Sequence, residues 1–162
     1  ELAHNINNVM QADMSAYVWW TMVRYYGPIG DGTKAADPAD PRERYPAKGE
    51  VTKKGYVFSQ FSRFIHPGFY RVESNLVPVL RDVDVTAFKN PASSEMVIVV
   101  VNSASSEKQN AFRFNNNITT STFTPHTTSE NRNFEQGNPV DVTDGLFKYT
   151  LEPQSITTFV SE

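Results

Sequence analysis

The residues with most chemistry to offer cluster in one run, Trp19-Trp20-Thr21-Met22-Val23-Arg24-Tyr25-Tyr26. An indole face presents an apolar plateau to the C–H face of a sugar ring, while neighbouring polar groups take the hydroxyls. An arginine offers a planar fork matched to a carboxylate, with charge-assisted bonds stronger than neutral ones. A phenol adds a hydroxyl for the same anion. Elsewhere the chemistry is sparse. The chain has no cysteine, which removes disulfides, thiolate nucleophiles and thiolate zinc sites. His4, His66 and His126 stand far apart with no ligand spacing, so no metal site is expected. Glu43 and Glu50 lie in a Pro- and Gly-rich stretch and read as solvated loop charges. Asn117-Ile118-Thr119 is a glycosylation sequon, which has meaning only in a eukaryotic host.

The elements that position these residues must come from a chain of 162 residues, 39% hydrophobic and 20% charged, enough for one ordinary domain with a core. A formal charge of −3 argues against a nucleic-acid binder that works by bulk positive charge. No apolar run approaches the roughly 20 residues that span a bilayer, so neither nucleic acid nor membrane is an expected partner. Glu1 stands where a start methionine would, and the first residues already read as the inside of a helix; a processed or cut chain is the expectation.

Composition shifts near His66-Pro67-Gly68. Residues 1–70 hold both tryptophans, six of the seven tyrosines and all but one methionine. Leu2, Ile6, Val9 and Met10 fall on one helical face, and Gln11-Ala12-Asp13 ends that helix. Residues 15–23 are apolar and aromatic almost throughout, which predicts a strand covered on both faces, as in parallel sheets between helices. Residues 24–52 carry Pro and Gly at a density that forbids a regular element. Residues 53–65 are helical again, with Val57, Phe58, Phe61, Phe64 and Ile65 as the apolar stripe, stopped by Pro67 and Gly68.

The remainder reads as short strands at 70–74, 83–89, 95–102, 110–114, 122–129, 145–151 and 155–160, with 96–101 central. Asn90-Pro91, Gly137-Asn138-Pro139 and Asp144-Gly145 supply turns. Seven strands at this spacing predict an antiparallel sandwich. Phe123, His126 and Phe134 could form a small sugar platform, though a packing role is the commoner use of such residues.

Several of these segments carry a resemblance. Ala16-Tyr17-Val18-Trp19-Trp20, Arg24, Tyr26-Gly27-Pro28, Lys54-Gly55-Tyr56, Phe61-Ser62-Arg63-Phe64 and Pro67-Gly68-Phe69-Tyr70-Arg71 resemble the C-terminal third of glycoside hydrolase family 30 xylanases, nearest the bacterial glucuronoxylanase branch. The likeness continues through Thr86-Ala87-Phe88-Lys89, Val97-Ile98-Val99-Val100-Val101-Asn102 and Gln154-Ser155-Ile156-Thr157-Thr158-Phe159-Val160. The segment 31–51 departs from it, being longer and richer in proline.

The resemblance implies α/β plus all-β architecture: residues 1–68 as the last helix, strand, loop and helix of a (β/α)8 barrel, and residues 69–162 as most of an antiparallel side β-sandwich. It implies a secreted, extracellular enzyme with no cofactor that hydrolyses glucuronoxylan with retention. The two catalytic glutamates would lie upstream of Glu1, so no catalytic residue is assigned in this chain. The site residues would be substrate-binding ones: Trp20 against the sugar, Arg24 on the methylglucuronate branch, and Tyr26, favoured over Tyr25 by spacing, on the same carboxylate. Trp19 points the opposite way on a regular strand and reads as core. The expected partners are xylan and an N-terminal piece, or the rest of a parent chain, that completes the barrel; alone, the chain is expected to fold poorly and be inactive. A free-standing carbohydrate-binding module and a structural β-domain are the competing readings, separated from the first by an activity assay on glucuronoxylan with and without an upstream partner.

Overall fold

The computed structural model describes residues 1–33, 46–93, 95–115, 118 and 120–162. Two helices, α1 (Leu2–Gln11) and α2 (Lys53–Ser62), precede β1 (Tyr70–Val72), β2 (Val83–Lys89), β3 (Met96–Asn102), β4 (Lys108–Arg113), β5 (Thr122–Thr128), β6 (Glu135–Gln136), β7 (Val140–Asp141), β8 (Leu146–Leu151) and β9 (Ser155–Ser161). The larger sheet runs β1-β2-β3-β9-β5-β6, with β7 also on β5, and β4 pairs with β8 in a second sheet. Every ladder is antiparallel.

The unbroken apolar run of β3 has a simple cause. All seven of its residues are buried, because both faces of the larger sheet are covered. Ile98 and Val100 face the second sheet in a core with Phe123, Phe147, Leu151 and Phe159. Val97, Val99 and Val101 face the helices, in a core with Ile6, Phe61 and Ile156. Residue parity therefore sorts one strand between two cores. The same double cover buries Ser155–Phe159 of β9, which the alternation of the sequence presents as half-buried. Aromatic rings fill the first core: Phe159 lies 5.3 Å from Phe112, 5.2 Å from Phe147 and 5.0 Å from Tyr149.

Pro125 sits inside β5 without breaking it. On the outer side of β5, β7 reaches only Thr122 and Phe123, and β6 only His126 and Thr127. Pro125 falls in the gap between them, where its carbonyl takes the Gly137 N–H at 2.8 Å and no N–H is asked of it.

The helices are fixed to the sheet by polar contacts as well as by packing. On α1, Asn7 Oδ1 accepts from buried Thr86 at 2.9 Å, Gln11 donates to the Val85 carbonyl at 3.1 Å, and His4 Nδ1 meets Asp84 at 2.5 Å. On α2, Thr52 is the N-cap, Gln60 donates to Thr128 Oγ1 at 2.8 Å, and the Gln60 carbonyl accepts from Thr158.

One expected element differs. Residues 15–22 form no strand, and Val23 makes a single parallel bridge to Ile29. Nor is this run covered on both faces. Tyr17, Trp19 and Thr21 are half-buried against α2, whereas Val18 is 90%, Trp20 84% and Met22 60% exposed. A strand needs a neighbour for its ladder, and none of the described residues lies beside this run to supply one.

Candidate functional site

The segment carrying Trp20, Arg24 and Tyr26 lies along α2. Phe58 holds its inner face, with ring centroids 5.9 Å from Tyr17 and 6.0 Å from Trp19. The neighbouring Trp20 is exposed to solvent, although the strand expected to alternate the two does not form. The Trp20–Thr21 peptide is cis.

Beyond Trp20 the chain folds back on itself through its backbone. The Arg24 N–H donates to the Ile29 carbonyl at 2.9 Å, the Ile29 N–H to Met22 at 3.0 Å, and the Gly27 N–H to Arg24 at 3.0 Å. Gly27 is needed there: a Cβ would stand 2.6 Å from the Thr21 carbonyl oxygen. Thr52, while capping α2, also donates its hydroxyl to the Gly27 carbonyl at 2.7 Å. Glu50 shapes the far side of the loop, its carboxylate accepting the Ala47 N–H at 2.9 Å; Glu43 and the sequon positions Asn117 and Thr119 lie outside the described residues.

Arg24 is exposed, and Tyr26 is half-buried with its ring edge-on to Tyr25 at 4.9 Å. The carboxyl of Asp31 is held below its ordinary pKa, mainly by hydrogen bonds from Thr33 (Oγ1 2.6 Å, N 2.9 Å), with the positive charge of Arg24 adding to the effect. Arg24 and Tyr26 lie on the hydrogen-bonded turn over residues 22–29, and Trp20 precedes it in the same segment. The segment presents an apolar plane, a cation and a phenol, a set suited to a sugar bearing an acid.

Two lysines in this region escaped the sequence reading. Lys54 Nζ donates to the Tyr26 carbonyl at 2.8 Å and lies 5.6 Å from the centroid of the Trp19 ring. Lys53 Nζ reaches the Ser129, Glu130 and Arg132 carbonyls and Asn133 Oδ1. A signal for both is visible in the sequence. They occupy the first turn of a helix, where the macrodipole disfavours cations, so each needs a compensating partner elsewhere.

The second candidate platform does not assemble as a unit. Phe123 is fully buried in the sandwich core, 5.1 Å from Phe147, because its parity in β5 sends it to the inner face. His126 and Phe134 instead stack with Phe64 of the turn after α2, at 4.7 and 5.9 Å, with the Arg63 guanidinium over Phe64 and Phe134. Burial and the charge of Arg63 hold the His126 pKa below its ordinary value.

No protein-family model matches the chain. Glucuronoxylanase XynC of Bacillus subtilis is 31% identical over 97% of this chain, which spans about a third (32%) of that relative. A GH30 endoxylanase from Clostridium papyrosolvens superposes with a TM-score of 0.81 at 29% identity, over 99% of this chain and 37% of that one. A glycoside hydrolase family 30 subfamily 8 xylanase, Xyn30A, from Clostridium acetobutylicum gives the same TM-score, 0.81, and covers 99% of this chain. In sequence and in fold, the chain corresponds over its whole length to the C-terminal portion of the family 30 glycoside hydrolases of the glucuronoxylanase branch.

Proposed function

We propose that this chain is the substrate-gripping C-terminal portion of a secreted endo-1,4-β-xylanase that hydrolyses glucuronoxylan with retention. Residues 1–68 belong to its (β/α)8 barrel and residues 69–162 to its side sandwich. The observation that carries the reading is Trp20, 84% exposed beside an anchored Trp19. Val18 and Met22 on either side of Trp20 are exposed as well, and an exposed apolar patch of this kind marks a face that a ligand or partner covers. Arg24 and Tyr26, on the turn that follows Trp20, suit a methylglucuronate carboxylate, and the similarity to glucuronoxylanases supports that substrate. A polymer of this size is met outside the cell, which supports secretion.

Retention needs two carboxyls about 5–5.5 Å apart. In this reading both glutamates lie in the remainder of the enzyme, which also supplies the strands missing beside residues 15–23 and covers Val18. Trp20 and Arg24 stay open to xylan.

The test is a comparison of substrates in the full-length polypeptide. Arg24→Ala removes a charged hydrogen-bond partner of about 1.5–3 kcal/mol, so kcat/KM on glucuronoxylan should fall roughly ten- to a hundred-fold, with undecorated xylan little affected. Arg24→Lys keeps the charge but loses the fork and should retain part of the preference. Trp20→Ala should weaken both substrates, because stacking on the backbone sugar does not depend on the branch. Equal losses on the two substrates in the Arg24 variants would refute the role of Arg24.

A further inference from the structure

We infer that Lys54 is the positioning residue of the substrate-gripping turn: a single ammonium that holds both ends of residues 19–26 against α2 and so sets where Trp20 and Arg24 stand. The inference deepens the proposed xylan reading and depends on it.

The ammonium touches the turn at two places. At one end it lies over the Trp19 ring, 5.6 Å from the centroid, within the range of a cation–π contact. At the other it donates to the Tyr26 carbonyl at 2.8 Å. Trp19 has no other polar tether, since its Nε1 is buried without a hydrogen-bond partner among the described residues. Its orientation therefore depends on Phe58 and Lys54, the two α2 side chains against it. Trp19, half-buried against α2, is bonded directly to Trp20, which stands 84% exposed, so a shift of the one carries the backbone of the other.

The lysine also has nowhere better to be for its own sake. It stands in the first turn of α2, where no acidic residue offsets the helix dipole, so the site costs the helix something. The positive charge is compensated by the turn it holds. Binding sites lose strength when the residues behind them are loose by even about 1 Å, and Lys54 is such a support.

The experiment compares Lys54→Met and Lys54→Arg in the full-length polypeptide, with Trp20→Ala as reference. Methionine keeps the stem and removes the charge and the donor; arginine restores both. Lys54→Met should raise KM about three- to ten-fold on undecorated xylan, through Trp20, and by more on glucuronoxylan, where Arg24 is displaced as well, with kcat within about twofold, and Lys54→Arg should recover most of the loss. A second readout follows the Trp19 contact: between Trp20→Phe and Trp20→Phe/Lys54→Met, the difference spectrum of tryptophan emission should change in position or intensity. If Lys54→Met does not fold, Lys54→Gln, which keeps a donor for Tyr26 but no charge for the indole, is measured instead.

An unchanged KM, or a raised KM without any change in emission, overturns the inference. An unchanged KM in Trp20→Ala overturns the xylan reading itself, so the two failures are told apart.

Discussion

Replacing Lys53 by methionine tests how much one ammonium contributes to holding α2 against the loop that follows β5. Nζ donates to the Ser129 carbonyl at 2.7 Å, Glu130 at 3.2 Å, Arg132 at 3.0 Å and Asn133 Oδ1 at 2.5 Å. Four charge-assisted bonds taken at about 1.5–3 kcal/mol each would add to roughly 6–12 kcal/mol. That sum overstates the effect. An ammonium has three N–H groups, so four oxygens share them. Glu130 and Asn133 are exposed and Arg132 is half-buried, so their oxygens can turn to water when the ammonium leaves. Only Ser129, 7% exposed, is left with a buried carbonyl lacking its donor. One orphaned acceptor costs about 1–3 kcal/mol, and methionine keeps most of the packing of the stem. The expected loss is therefore about 2 kcal/mol. Urea unfolding of the full-length polypeptide, with the m-value unchanged, measures it, and proteolytic cutting within residues 129–134 should quicken. A loss above about 4 kcal/mol would show the four bonds adding, against the argument from rehydration. A loss below about 0.5 kcal/mol would make the contact a surface ion contact of no consequence.

Gly55→Ala should destabilise by about 1–3 kcal/mol, although alanine is the better helix former by about 1 kcal/mol, because the new Cβ would stand 2.6 Å from the Pro28 carbonyl oxygen and 2.7 Å from Val51 Cγ1. A more stable variant in thermal melts would refute it. The depressed pKa of His126 means that the folded state binds fewer protons than the unfolded chain just below 6.5, so this contribution to stability is complete above that pH and is lost as pH falls through the folded value. His126→Phe, still facing Arg63, Phe64 and Phe134, should flatten Tm against pH below about 6.5, and an unaltered slope would discount the histidine.

Much of this molecule was determined by local sequence. The two helices and the seven longer strands were legible because period, caps and turn residues act over a few positions; the second helix, though, ends at Ser62 rather than at 65, and Gly68 takes its positive φ of 98° in a separate turn beyond it. Trp19 and Trp20 do take opposite environments, one half-buried and one exposed, although the strand expected to alternate them does not form. Tertiary structure decided the rest, through groups far apart in the chain. The two-residue strands β6 and β7 exist only because β5 offers an edge, and nothing in Glu135-Gln136 or Val140-Asp141 announces it. Residues 15–22 have a strand's composition but no ladder, since hydrogen bonding between strands belongs to the pair and not to either member. The first-turn lysines show in the sequence that they need partners, but not which ones: Lys54 meets a carbonyl 28 positions away, and Lys53 a loop some 76 to 80 positions away. Periodicity tells a side chain which face it takes, whereas only the folded chain determines what stands opposite.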